Sequence, residues 1–140
     1  MSDAYDPDNI FAKILRGEAP CVKIHEDEVS LAFMDIMPRT GGHALVIPKV
    51  PVRNIFDISA EDLAKFMPSV QRIAVAAKKA LAADGVSIMQ FNETAGGQVV
   101  FHLHFHIMPR WEGVALKPPG GPMAAAGELA PIAEAIRAAI

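Results

Sequence analysis

One cysteine, one tryptophan and one tyrosine are all that this 140-residue chain has of those residue types. With Cys21 alone, no intrachain disulfide can form. Neither C-x-x-C nor H-E-x-x-H occurs, so the familiar zinc spacings are absent. Cys21 itself reads as a small core hydrophobe. Aromatic residues are 6% of the chain against 51% hydrophobic residues, which leaves most of the packing to Ala, Val, Ile, Leu and Met. Positive charge is not in excess either: 13 Lys and Arg face 16 Asp and Glu, for a net −3. That balance argues against a nucleic-acid polymer as partner, whose binding rests on neutralising many phosphates. A small anionic ligand needs only a few local donors. No uncharged run reaches the length of a membrane span, and "MSDAYDPDNIF" has neither a basic nor an apolar leader region. The expectation is a cytoplasmic protein with no membrane partner, folded as one domain over 1–140.

The residues that are present fall into a regular order. Asn9 stands as an N-cap before the stripe Ile10, Phe11, Ile14, Leu15, with Gly17 and Pro20 beyond it, which predicts one short helix. Cys21–His25 and Val29–Asp35 read as strands joined by an acidic turn. A third strand, "HALVIPK", follows the Thr40-Gly41-Gly42 turn and stops at Pro48, giving an antiparallel meander. Ser59 and Asp62 resemble a capping box ahead of a long helix, whose stripe runs Leu63, Phe66, Met67, Val70, Ile73, Ala74, Ala77, Leu81. Pro68 inside that stripe should kink the helix, and Gly85 is the expected stop. "VSIMQFN" and "VVFHLHFHIMP" supply two more strands around the Ala95-Gly96-Gly97 turn. After a "KPPGGP" loop, Leu129, Ile132, Ala133, Ile136 and Ile140 form the apolar face of a terminal helix.

Three of the five histidines, His102, His104 and His106, stand at alternate positions in "GGQVVFHLHFHIMPR". On a strand they share one face, while Phe101, Leu103, Phe105 and Ile107 share the core face. His25, beside an acidic turn, reads as an isolated structural histidine. A rise of about 3.3 Å per residue spreads the outer two Cα atoms of the row over roughly 13 Å. Three imidazoles on a straight strand therefore converge poorly on one metal ion. They suit a phosphate better, with one ring as nucleophile and its neighbours as donors. "NETAGGQVV" just upstream adds Asn92, Gln98 and two glycines whose amides can approach an anion. No G-K-[ST] follows, so this is not a Walker loop.

The order His102-Leu103-His104-Phe105-His106-Ile107-Met108 resembles the signature of the histidine triad superfamily. "IFAKILRGEAP", "LAFMDIMP", "GGHALVIPK" and "NETAGGQVVFHLHFHIMPR" are similar to consecutive segments of its nucleotide-binding branch, over about 9–110. Residues 111–140 form a C-terminal extension. The resemblance implies an α+β fold: a five-stranded antiparallel sheet with one long and one short helix, plus the helical tail. It also implies a homodimer with a continuous ten-stranded sheet.

The activity it implies is hydrolysis of purine nucleoside 5′-phosphoramidates or related conjugates, through a nucleotidyl-histidine intermediate and without a cofactor. By the same match His104 is the nucleophile, His102 and His106 assist it, and His43 lies beside the triad. Asp35 binds ribose; Phe11, Phe33 and Ile36 enclose the base, although both phenylalanines read equally well as core. Asn92, Gly97, Gln98 and Val100 contact phosphate or leaving group. Val99 stands where relatives often carry Ser or Thr, so one hydroxyl donor is missing. Asn9 and Ala12 replace the C-x-x-C that binds structural zinc in some bacterial relatives, so no metal is expected. Pro109-Arg110 is similar to the dinucleoside polyphosphate hydrolase branch, and Val99 is compatible with a nucleotide-binding regulator of little turnover. Both stay open as alternatives.

Overall fold

The computed structural model describes residues 4–140. Helix α1, Ile10–Leu15, is capped by Asn9, whose Oδ1 accepts from the Ala12 N–H at 2.9 Å. Strands β1 (Lys23–Glu26) and β2 (Ser30–Met34) meet at a turn in which Asp27 Oδ1 accepts from the N–H groups of Val29 and Ser30. Strand β3 (Ala44–Pro48), helix α2 (Ala60–Ala80), strands β4 (Gly85–Met89) and β5 (Phe105–Arg110), and helix α3 (Ala126–Ala138) complete the chain. The sheet is antiparallel throughout, in the order β1-β2-β3-β5-β4. Among the described residues the fold is α+β, with five strands, three α-helices and a single 3-10 turn at Thr94–Gly96.

Strands β2 and β3 are buried on both faces, and their period of two divides the core. Ala32, Met34, Ala44 and Val46 face Phe66, Val70, Ile73 and Ala77 of α2 and Leu129, Ala133 and Ile136 of α3. Leu31, Phe33, Leu45 and Ile47 face Phe11 of α1. The C-terminal extension is thus part of the core. Arg137 tightens it by donating from Nε to Ile24 O and from Nη2 to Lys23 O.

Three sequence expectations change, while Pro68 stands inside the long helix as expected: α2 runs from Ala60 to Ala80 around it. Pro68 and Ala64, the residue whose carbonyl loses a donor, are both exposed, so solvent can replace the missing bond. Met67, beside them, is also exposed and leaves the buried stripe. The helix stops four residues before Gly85: Leu81 caps it and Ala82 takes the left-handed turn at φ 49°, so Gly85 opens β4 instead.

The third change concerns the site. Strand β5 begins at Phe105, not Val99, because its ladder with β3 ends at the Val46–Phe105 pair. Upstream, Leu103 N–H donates to Val52 O and a His102 ring nitrogen bonds Pro48 O. Residues 99–104 are pinned by these single bonds to the last residue of β3 and to the connection that follows it. His102 and His104 therefore stand outside the strand, and only His106 lies on it.

Candidate active site

Because β5 is inserted between β3 and β4, the histidines reach the middle of the sheet beside the start of β3. His104 and His106 have ring centroids 5.1 Å apart, and His43, one residue ahead of β3, lies 5.2 Å from His106. Phe11 meets His104 edge-on at 4.9 Å and Phe91 meets His106 at 5.6 Å. His102 goes elsewhere: fully buried, it is bracketed by Pro48 O at 2.8 Å and the Tyr5 hydroxyl at 2.6 Å.

These partners assign every proton. A carbonyl only accepts, so the His102 ring donates from Nε2 to Pro48 O, and its bare Nδ1 accepts from Tyr5 O–H. His104 donates from Nδ1 to His102 O at 2.7 Å, which leaves its Nε2 lone pair free. The Arg39 N–H donates to His43 Nδ1 at 3.0 Å. His43 then carries its proton on Nε2 and gives it to His106 Nδ1 at 2.9 Å. His106 is left as an Nε2–H donor next to the free lone pair of His104. The result is a neutral ring with a free lone pair beside a neutral ring with a free N–H.

Burial keeps the rings neutral. It pushes His104 below its ordinary range, with the His102 carbonyl and Asp35 opposing. Burial, then the Arg39 charge, takes His43 to about 4. Burial takes His102 to about 4 against the Pro48 hydrogen bond. Burial and the charges of His104, His43 and Arg39 bring His106 to about 3. Asp35 is raised by burial and opposed by the Met37 N–H that its Oδ1 accepts.

Asp35 Oδ2 lies 3.4 Å from His43 Nε2 and 4.0 Å from His106 Nδ1. Among the described residues, these three are the group whose ligand atoms could converge on a cation. In the hydrogen-bonded state the His43 Nε2 proton lies between the two rings, so a cation would have to displace it. Asn9, at the first C-x-x-C position, acts as the helix cap instead.

The remaining residues named from sequence divide into groups. Phe11 and Phe33 are buried and meet edge to face at 5.4 Å, Phe11 being the one that also touches His104, whereas Ile36 is exposed. The Asn92 side chain is engaged by Gln90 and by the Ile55 N–H. The Gln98 side chain is buried, donating to Arg53 O and Val100 O. Gly97, at φ 98°, needs glycine: a Cβ would meet Phe91 at 3.3 Å. The N–H groups of Gly96, Gly97 and Gln98 all bond within their own turn. The Val99 N–H has no acceptor among the described residues, and the Val99 side chain is 83% exposed.

The family model for the HIT domain matches residues 16–113. The chain belongs to the HIT family. Adenosine 5′-monophosphoramidase hnt1 of Schizosaccharomyces pombe is 42% identical over 72% of this chain and 73% of its own. Adenylylsulfatase HINT3 of Arabidopsis thaliana is 38% identical over 79% of this chain and 56% of its own. The crystal structure of a Hit-like protein from Bartonella henselae is 51% identical, covers 99% of this chain and all of its own, and superposes with a TM-score of 0.94. Within this HIT fold, two contributors were given no site contact by the sequence.

The first is Tyr5, 97 positions from the ring it bonds. Removing its hydroxyl strands a buried acceptor, at about 1–3 kcal/mol. Tyr5→Phe should therefore melt several degrees lower and lose roughly five- to tenfold in kcat/KM. An unchanged melt and unchanged kinetics would remove Tyr5 from the site. The second is the extension. Lys117 N–H donates to Arg39 O, Arg39 Nε donates to Lys117 O, and Ala124 N–H donates to Ile36 O, at 2.8, 2.8 and 2.7 Å. The extension thereby braces the loop between Asp35 and His43. Among the described residues no helix is long and apolar enough to cross a membrane.

Proposed function

We propose that the protein hydrolyses a purine nucleoside 5′-phosphoramidate, or a related nucleotide conjugate, to the monophosphate. The observation that carries this reading is the proton arrangement at His104. With Nδ1–H held on the His102 carbonyl, Nε2 is a neutral nucleophile. Its attack on the α-phosphorus forms an N–P bond and breaks the bond to the leaving group. The anionic substrate draws a proton from solvent onto His106, so that ring enters the step as an imidazolium. The leaving amine takes the ring's Nε2 proton and leaves the ring neutral. The nucleotidylated ring is cationic, and the His102 carbonyl and the nearby Asp35 stabilise that charge. Water then attacks phosphorus, gives a proton to His106, and releases the nucleotide and neutral His104. The Val99 N–H, which has no acceptor among the described residues, is the donor assigned by this reading to the phosphoryl oxygens.

The activities named for the phosphoramidase and adenylylsulfatase relatives support this class of substrate. Arg110 does not favour the polyphosphate alternative, since its guanidinium bonds Ser87 Oγ on β4. The test is a comparison of an adenosine 5′-phosphoramidate, adenylyl sulfate and diadenosine polyphosphates. The phosphoramidate is expected to have the highest kcat/KM. A diadenosine polyphosphate in first place would transfer the chain to the alternative class. Tight AMP binding with no turnover of any substrate would make it a binding regulator.

A further inference from the structure

Glu93 has φ 64° and ψ 164°, a backbone region that is essentially glycine's. Its side chain is held at three points. Arg53 Nε and Nη2 each donate to one carboxylate oxygen at 2.8 Å, and Asn54 Nδ2 donates to Oε2 at 2.5 Å. The Arg53 guanidinium also lies 4.1 Å above the ring of Phe101, the residue before His102. Asp57 holds the clamp from behind, accepting from the N–H groups of both Arg53 and Asn54 at 2.9 Å. The main chain of Glu93 is fixed as well. Its carbonyl accepts from the N–H groups of Gly96 and Gln98, and its N–H donates to Gln98 Oε1 at 2.8 Å. A glycine would adopt this backbone without strain, so the carboxylate is what the position retains.

We infer that Glu93 is a positioning residue for the phosphoryl step. Clamped by Arg53 and Asn54, it sets the course of the loop through Gly97 and Val99 into His102–His106, and so the place of the Val99 N–H relative to the α-phosphate. The inference rests on the nucleotidyl-transfer reading above. A bidentate Arg–carboxylate pair has the geometric rigidity this task needs. A misplacement on the ångström scale at a reacting centre is enough to slow the step by about 100-fold.

The experiment uses full-length wild-type protein and the variants Glu93→Gln, Glu93→Gly and Arg53→Lys. It reads single-turnover kinetics with an adenosine 5′-phosphoramidate, AMP binding by calorimetry, and thermal melting. Both Glu93 variants should lose roughly 100-fold in the chemical step while AMP affinity stays within about threefold. Arg53→Lys, which keeps the charge but not the fork, should fall between them and wild type. Glu93→Gly relieves the backbone and should melt no lower than Glu93→Gln, yet be as slow. Variants that melt lower but keep the wild-type rate per folded molecule would overturn the inference, as would AMP affinity falling in step with the rate. Wild-type protein inactive on every substrate would instead defeat the nucleotidyl-transfer reading, and this inference with it.

Discussion

His104→Ala is expected to lose hydrolysis by roughly 10⁴-fold or more while keeping its affinity for the nucleoside monophosphate. The reason is geometric. Among the triad rings, His104 is the one whose free nitrogen carries a lone pair at the site: His102 is fully engaged and His106 presents a hydrogen. Alanine leaves no atom that can bond to phosphorus. In the proposed reading, Asp35 and the Val99 N–H remain to hold the nucleotide. His106→Ala should cost less, about 10²–10³-fold, because it removes a proton donor and not the bond-forming atom. Rapid quench with an α-phosphate-labelled substrate, mapped under alkaline conditions, should place the transient label on His104. Label on a different residue, or normal turnover by His104→Ala, would rule the assignment out.

Acidification from pH 7.5 to 4.5 should lower the melting temperature by roughly 15 °C or more. In the folded protein His43 and His102 take up a proton only near pH 4, and His106 near 3. Each would protonate near 6.5 once unfolded. The unfolded chain therefore binds more protons throughout this window, and stability rises with pH. The contribution is complete above about 6.5 and is lost progressively as pH falls toward 4. A displacement from 6.5 to about 4 corresponds to about 3 kcal/mol for His43 or for His102.

His43 and His106 share one hydrogen bond, so a first proton breaks it and a second adds less. Asp35, whose carboxyl burial raises, works in the opposite direction and offsets part of the loss. Against a total stability of about 5–15 kcal/mol, the effect brings the fold close to unfolding. Thermal melts across the pH range measure it directly, and His43→Gln should flatten the profile. A melting temperature constant from 7.5 to 4.5 would show that the imidazoles are not held neutral.

How much of this was legible beforehand depends on the range of the forces involved. The core faces of β2 and β3 follow from a period of two, and the buried stripe of α2 from spacings of three and four. Both are local patterns of apolar side chains. The cap at Asn9 and the stop of β3 at Pro48 are equally local. The triad spacing marked the candidate segment, and with the surrounding motifs it matched the HIT family and its fold.

What the linear chain by itself determined is therefore the element order, the apolar faces and the family to which the histidine segment belongs. The tertiary structure alone decided what each imidazole does. The alternation rule put all three histidines on one face, but the ladder ends at Phe105. Two backbone carbonyls, Pro48 and His102, then take ring protons. Tyr5, Arg39 and the 111–140 extension join the site through hydrogen bonds to partners as distant as 97 positions. Glu93 carries no mark of its strained backbone in its own side chain, since the strain is set by Arg53 and Asn54 folding back upon it. Propensity and periodicity act over a few residues. A proton's position depends on which carbonyl or amide the finished fold brings within 3 Å, and no local pattern encodes that.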